Sequence, residues 1–516
     1  MMTSVSTLDA ALEKDFFTLP DLVRLHAAAR PGHPALVQDG QTIDYAGLDR
    51  LMDRIAAALQ RDGVQPTEAI AICASSSLHY AAVFLGALRA GVAVAPLAPS
   101  SSPDSLAGMV ADAEARIMFL DQDAAGTLDQ AAESVAVKRI FLDDEVVFAS
   151  WLPDEDASPA PVHIQPDWPF NIIYSSGTTG APKGIVQPHS MRWTHVQRGQ
   201  VNGYDPSAVT VISTPLYSNT TLVSFFPTIG MGGTVVMMAK FDAKTFLELA
   251  QRHRATHAML VPVQYQRIMA REDFGNYDLS SFRMKFCTSA PFSAALKADI
   301  LKRWPGGLIE YYGMTEGGGT CMLAAHEFPD KLHTVGKPAP GHDIRLIDDA
   351  GREVGPGELG EVVGHSAAMM KGYHKQPAKT AEAEWHDASG KRFIRTGDVG
   401  RFDEDGFLVL MDRKKDMIIS GGFNIYPSDL EAVLRQHPAV QEAAVVGVPS
   451  TRWGETPVAF VVASGPATAD ELLEWANQRL GKMQRLAAVE LVGVLPRSAI
   501  GKVLKRELRD GFGKTL

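Results

Sequence analysis

Cysteine is scarce in this chain of 516 residues: Cys73, Cys287 and Cys321 stand far apart, in no CxxC or Cys/His spacing. That excludes a disulfide framework and argues against a structural zinc site. Basic charge is also short, with 49 Lys+Arg against 60 Asp+Glu and a formal net charge of −11. No Lys/Arg-rich run offsets the balance, so no nucleic-acid partner is expected. Long apolar runs are missing too. The longest, Ala81 to Ala98, is interrupted by Arg89 and bounded by Pro96 and Pro99, which excludes a membrane span. The first fifteen residues carry Asp9, Glu13 and Asp15 with no basic segment ahead of an apolar core, so no signal peptide is expected. These absences predict a soluble, cytoplasmic, multi-domain protein.

What is present fits that class. Hydrophobic residues at 46% and charged residues at 21% match a globular chain and exclude a disordered one. At ~150 residues per domain, two to four structural units are expected. Runs rich in β-branched residues, at Ala69–Ala74, Arg116–Leu120, Asn171–Ser175, Val209–Ser213, Thr234–Met238, Ala258–Val261, Lys285–Thr288 and Leu308–Tyr311, read as strands. Amphipathic stretches such as Ala243–His253 and Ala294–Trp304 lie between several of them, which predicts parallel α/β layering. Asp343–Asp348, Gly360–His365 and Gly406–Met411, with Gly- and Asp-rich turns, predict a β-rich subdomain. In the last hundred residues, Ser428-Asp-Leu-Glu431 and Thr468-Ala-Asp-Glu471 have the form of capping boxes, opening helices to about His437 and Gly481. With strands at Ala443–Val448, Val458–Val462 and Val489–Val492, this is a small α+β unit. The charged run Asp412-Arg-Lys-Lys-Asp416 is its natural boundary.

The densest chemical signal is Tyr174-Ser-Ser-Gly-Thr-Thr-Gly-Ala-Pro-Lys-Gly184, directly after a predicted strand. Its glycines let backbone approach a polyphosphate, its hydroxyls donate, and Lys183 supplies charge. It is not a Walker A loop, because Gly184 follows Lys183 where a Ser or Thr should bind the metal.

With this loop the chain resembles the adenylate-forming enzymes: acyl-CoA and aryl-CoA synthetases, luciferases and peptide-synthetase adenylation domains. Tyr311-Tyr-Gly-Met-Thr-Glu316 is similar to the family's adenine and magnesium motif, and Thr396-Gly-Asp398 to its ribose motif. Asp412–Asp416, running on into Gly421-Gly-Phe-Asn-Ile-Tyr-Pro427, resembles its hinge and the loop after it. Pro496-Arg-Ser-Ala-Ile-Gly-Lys502 resembles its C-terminal lysine motif. The motifs occur in order and span essentially the whole chain. Alone, Glu316 or Asp398 reads as a solvated turn carboxylate; the ordered set reverses that.

The resemblance implies an α/β fold with a large N-terminal domain over 1–414 and a small mobile α+β domain over 415–516. It implies that Ser175, Ser176, Gly177, Thr178, Thr179, Gly180 and Lys183 hold the ATP phosphates. Tyr312 stacks on adenine, while Asp398 and Arg413 hold the ribose. Thr315 meets the α-phosphate, and Glu316 with Thr178 takes Mg²⁺. Lys502 is the catalytic lysine, Lys415 the hinge, and Gly421, Gly422 and Trp453 line the coenzyme A channel. The acyl pocket falls to Tyr217, Ser289 and Tyr311, where Tyr311 replaces a position that is often Gly and shortens the pocket. Tyr217 and Phe225 add aromatic surface, and no Arg or Lys stands in those pocket segments.

The expected activity is an AMP-forming carboxylic acid–CoA ligase using ATP, Mg²⁺ and coenzyme A, acting on an aromatic or phenylpropenoid acid of the 4-coumarate or benzoate kind. A medium-chain fatty acid ligase and a stand-alone adenylation enzyme loading a carrier protein are the alternatives. The expected partners are small molecules, with the protein a monomer or homodimer.

Several features depart from the family pattern or mislead. Ser218 stands where many such synthetases have a histidine, Gly481-Lys-Met-Gln484 replaces the usual Tyr-Lys-Val-Pro, and Ser498–Gly501 lacks the asparagine common before the last lysine. Gly355-Pro-Gly-Glu-Leu-Gly360 matches GxGxxG but reads as a hairpin turn, since a strand and not a helix follows. His253 and His257 are spaced i, i+4 and read as solvated, with no third ligand nearby.

Overall fold

The computed structural model describes residues 8–175, 183–413, 415–420, 423–481, 484–498 and 501–512, and of Ser175, Asp412, Arg413, Phe423 and Asn424 the backbone. The chain divides into two compact units, the first being Met1–Leu332, Pro338–Asp343 and Gly364–Ile394.

Unit one carries the expected α/β layering on two sheets. In one, five strands run parallel in the order Gly307–Tyr312, Met284–Cys287, His257–Leu260, Val209–Ile212 and Thr234–Met237, followed by parallel Pro34–Gln38. Antiparallel Cys321–Ala324 and Gln41–Asp44 flank that set. In the other, Pro169–Ser175, Ala93–Pro96, Ala69–Cys73, Ile117–Leu120 and Lys138–Phe141 are parallel neighbours. Antiparallel Lys183–Pro188 and then Gly372–Tyr373 extend it at one edge.

Strand periodicity sorts the core. Ile70 and Ile72 join a large buried cluster with helices Tyr45–Arg61, Leu78–Arg89 and Asn219–Gly230 and with residues of the first sheet, including Leu36, Met259, Phe286 and Ile309. The alternating Ala69, Ala71 and Cys73 face helices Pro103–Asp112 and Gln122–Leu128 instead. The long apolar run is explained here. Leu78–Arg89 is buried at every position but half-buried His79, and Arg89, which interrupts the run, is paired with Asp49 and with Asp53 at 2.9 Å. Among the described residues no helix is long and apolar enough to cross a membrane.

Unit two comprises His333–Lys337, Ile344–Val363 and Arg395–Leu516. Its C-terminal sheet runs Phe423–Ile425, Ile418–Ser420, Gly454–Ala463, Val440–Ser450, with Ala488–Leu491 parallel to Gly454–Ala463. Helices Pro427–Leu434 and Ala469–Asn477 cover one face through Leu430, Leu434, Leu472 and Ala476; helix Lys505–Phe512 covers the other through Leu508 and Phe512.

Several local expectations need correction. Thr468 and Glu471 do form a capping box, but that helix stops at Asn477, whose side chain exchanges two hydrogen bonds with the Leu486 backbone. Ser428 is not the N-cap: the helix starts at Pro427, preset for the first turn, with Tyr426 at the cap position. Glu431 instead accepts from the Val445 amide and pairs with Lys505. His257 is not solvated but fully buried on a strand, stacked on Tyr204 at 4.2 Å. The helix ends at Arg252, so His253 and His257 never share a face.

Candidate active site

The loop after Pro169–Ser175 joins two antiparallel strands, with Ser175 directly opposite Lys183. The strands on either side of the phosphate-type segment therefore pair antiparallel, in contrast to the strand followed by a helix of a Walker A site. Ser176, Gly177, Thr178, Thr179 and Gly180 lie outside the described residues. Gly184 has a packing reason to lack a side chain: a Cβ there would sit 2.9 Å from Ile172 Cγ2.

Strand Gly307–Tyr312 delivers the second motif, ending on half-buried Tyr311 and Tyr312 before Thr315 and Glu316. Gly317 follows with φ +76°, and a Cβ there would lie 2.1 Å from the Ala368 carbonyl, so the turn that aims Glu316 requires glycine. Glu316 does not stand alone. The Tyr373 hydroxyl donates to its Oε1 at 2.9 Å, and the Lys183 ammonium lies 5.1 Å from the centre of the same ring. Burial, and then the Glu316 charge, raise the Tyr373 pKa, which keeps the phenol a donor. Tyr373 is placed by edge-strand pairing opposite Ile185. No motif marks it; it became visible only through tertiary pairing.

A buried polar network fixes the neighbouring residue. Gln187 Nε2 donates to the Thr315 carbonyl at 2.6 Å, while its Oε1 accepts from Asn171 Nδ2 at 2.9 Å and from Arg192. Arg192 also donates to Asn171 Oδ1 at 3.0 Å and Asn219 Oδ1 at 2.9 Å. Asn171 and Gln187 are fully buried on adjacent strands. The available signal was a polar residue inside each of two otherwise apolar strands.

The three expected acyl-pocket residues each have their own partner. Ser289, at a strained φ of +82°, shares a 2.5 Å hydrogen bond with Thr220. Tyr217 is hydrogen-bonded to Ser100. Tyr311 donates to Asn202 Oδ1 at 2.8 Å and stacks on Phe286 at 5.9 Å, with its pKa pushed up to about 12 by burial. Phe286, Tyr204 and His257 continue that stack.

Unit two carries the remaining candidates. Asp398 and Arg413, both expected at the ribose, occupy directly opposed positions of an antiparallel strand pair. Lys415 is exposed on the following turn, and Gly421 and Gly422 lie outside the described residues. Trp453 is 41% exposed under the Arg452 guanidinium, at a hairpin where Ser450 pairs with Gly454. Lys502 is half-buried on a second tight hairpin. Its amide meets Ser498 Oγ, its carbonyl accepts from the Ser498 amide at 2.8 Å, and Arg497 clamps Gly501 O at 2.7 Å and Glu442 at 2.7 Å.

For magnesium the donors are spare. Among the described residues no cluster of three His, Cys, Asp or Glu exists. One carboxylate, Glu316, tied through Tyr373 to Lys183, suits a Mg²⁺ that keeps waters and phosphate oxygens as its other ligands.

Residues 23–374 match the family described as AMP-binding enzyme, and residues 429–502 its C-terminal domain. A fatty acid–[acyl-carrier-protein] ligase from Streptomyces coeruleorubidus is 32% identical over 508 residues, covering 96% of each chain. A feruloyl-CoA synthase from Amycolatopsis sp. is 33% identical over 494 residues, covering 94% of this chain and 97% of that one. Among solved structures, ATP-bound MatB from Rhodopseudomonas palustris aligns with a TM-score of 0.86 at 27% identity, covering 96% of this chain and 99% of the other.

Proposed function

The chain belongs to the AMP-binding enzyme family, and from that premise we propose that it is an AMP-forming carboxylic acid–CoA ligase acting on an aromatic or phenylpropenoid acid. The observation that carries the reading is Tyr373, which ties the magnesium-type carboxylate Glu316 to the phosphate-type Lys183 on one ring.

In the first step a carboxylate oxygen of the acid attacks the α-phosphorus of ATP, and pyrophosphate leaves. In the second, the coenzyme A thiolate attacks the acyl-AMP carbonyl carbon, and AMP leaves with the oxygen it gained. Positioning and charge neutralisation supply most of the acceleration in such transfers. Lys183 and the hydroxyls of Ser175, Ser176, Thr178 and Thr179 hold the phosphates. Tyr312 packs on adenine, Asp398 and Arg413 take the ribose, and Thr315, pinned through Gln187, presents to the α-phosphate. Magnesium, when bound at Glu316, neutralises phosphate charge. Lys502 stabilises the charge developing as the carboxylate attacks. The thiol needs no dedicated base, since at its ordinary pKa of ~8.5 a few per cent is already thiolate. We assign the small domain to 415–516, with Lys415 as hinge and Gly421, Gly422 and Trp453 along the pantetheine path, in a cytoplasmic monomer or homodimer.

The aromatic preference is supported by the feruloyl-CoA synthase relative and by the Tyr311–Phe286–Tyr204–His257 stack. The carrier-protein ligase relative supports a second reading, transfer of the acyl group to a carrier-protein thiol. AMP release across cinnamic, benzoic and short, medium and long aliphatic acids, with and without coenzyme A, tests both. CoA-dependent release peaking on aromatic acids is expected. Adenylation without thioester formation on coenzyme A would transfer the assignment to carrier loading.

A further inference from the structure

Arg192, on helix His189–Gln197, is 1% exposed, yet no carboxylate meets it among the described residues. Arg89, also buried, is met by two aspartates. A buried charge is costly unless hydrogen bonds replace the water it loses. Around Arg192 those bonds come from neutral oxygens on three other elements. Its Nε donates to Asn171 Oδ1 at 3.0 Å, and its Nη2 donates to Gln187 Oε1 and, at 2.9 Å, to Asn219 Oδ1. The rings of Phe170 and Phe226 lie 5.9 and 5.4 Å from the guanidinium. Burial pushes the Arg192 pKa down to about 9, so the group is still a cation at neutral pH.

This cation decides how its neighbours point. A guanidinium only donates, so it holds the oxygen side of the Gln187 amide towards itself. Of the two amide orientations, only that one leaves Nε2 to donate to the Thr315 carbonyl, at 2.6 Å. The reversed amide would set N–H against N–H on one side and oxygen against oxygen on the other. Asn219 opens helix Asn219–Gly230, and the next residue, Thr220, is hydrogen-bonded to Ser289 at 2.5 Å. One planar fork thus reaches Thr315 through Gln187, and the Thr220–Ser289 pair through Asn219, all within unit one.

We propose that Arg192 is a positioning residue that joins the two reactant sides of the site, holding Thr315 through Gln187 on the ATP side and the first turn of helix Asn219–Gly230 on the acid side. The inference rests on the reading of Thr315 as an α-phosphate contact and of Ser289 as an acyl-pocket residue.

The test compares Arg192→Met, Gln187→Leu and Asn219→Ala with wild type. It reads KM for ATP, KM for the acid of highest turnover in the panel above, and calorimetric titration of ATP alone. Gln187→Leu should weaken ATP and Asn219→Ala the acid, each about 3–10-fold with the other substrate little changed, and Arg192→Met should weaken both. In the double variant Arg192→Met/Gln187→Leu the ATP loss should not exceed the larger single loss, because both substitutions release the same Thr315 carbonyl. A loosened fold alone would not sort the two substrates in this way. If Arg192→Met does not fold, Arg192→Lys, which keeps the charge but not the planar fork, takes its place and should show the same pattern with smaller losses. ATP losses that add in the double variant, an acid KM untouched by Asn219→Ala, or arginine variants that move neither KM would overturn the proposal. If wild type released no AMP with any acid, the ligase assignment would fail, while the ATP titrations of the single and double variants would still judge Arg192.

Discussion

The Tyr373 hydroxyl donates to Glu316 Oε1 at 2.9 Å while its ring lies 5.1 Å from the Lys183 ammonium. One side chain thus orders two groups that stand 133 positions apart in the chain, between positions 183 and 316. Tyr373→Phe keeps the ring and its cation contact and removes the donor. kcat should fall about 10-fold, the lower end for a hydrogen bond to a charged group, and the magnesium concentration for half-maximal rate should rise. A magnesium titration of the initial rate checks this.

Gln187→Leu attacks the floor of the site. The substitution leaves the Arg192 and Asn171 donors buried without their acceptor and frees the Thr315 carbonyl. A loss of about 2–4 kcal/mol of stability is expected, together with a raised KM for ATP. Denaturant unfolding and ATP saturation curves measure the two effects separately.

Much of the chain's architecture was legible because alternating strands and amphipathic helices leave periodic traces. All eight predicted strands of the first unit formed within two residues of their expected bounds. Motif order carried the family in the same way. The misses have physical causes. His257 looks polar in sequence, but its ring pairs with Thr256 Oγ1 and the Asn202 carbonyl and stacks on Tyr204, so burial costs it little. Ser428 had the capping pattern, but Pro427 set the helix start. Tyr373 reaches Glu316 from an edge strand, and no local pattern encodes such a contact.

Buried histidines predict an acid limit to stability. Burial lowers the pKa of His26 to about 4, of His189 to about 3 and of His257 to about 4, against 6.5 when unfolded. The unfolded chain therefore binds more protons below pH 6.5. This stability is fully present above that value and is lost as pH falls toward about 4, with a slope of up to ~1.4 kcal/mol per pH unit for each histidine. Unfolding free energies measured between pH 7 and 4.5 should fall, and His26→Gln should flatten the slope.

Lys502 separates the half-reactions. Lys502→Ala should slow acyl-AMP formation by about 10²–10³-fold, as for removal of one charge-stabilising donor. Thioester formation from pre-made acyl-AMP and coenzyme A should persist. Pyrophosphate exchange and a thioester assay on the same preparation read the two steps. Retained exchange would remove Lys502 from adenylation.

The most direct measurement follows the oxygen. An acid labelled with ¹⁸O in its carboxyl group, turned over with ATP, magnesium and coenzyme A, should place one ¹⁸O in the phosphate of AMP and none in pyrophosphate. Cleavage to ADP, or AMP free of label while thioester accumulates, would contradict attack of the carboxylate on the α-phosphorus and with it the assignment of this site.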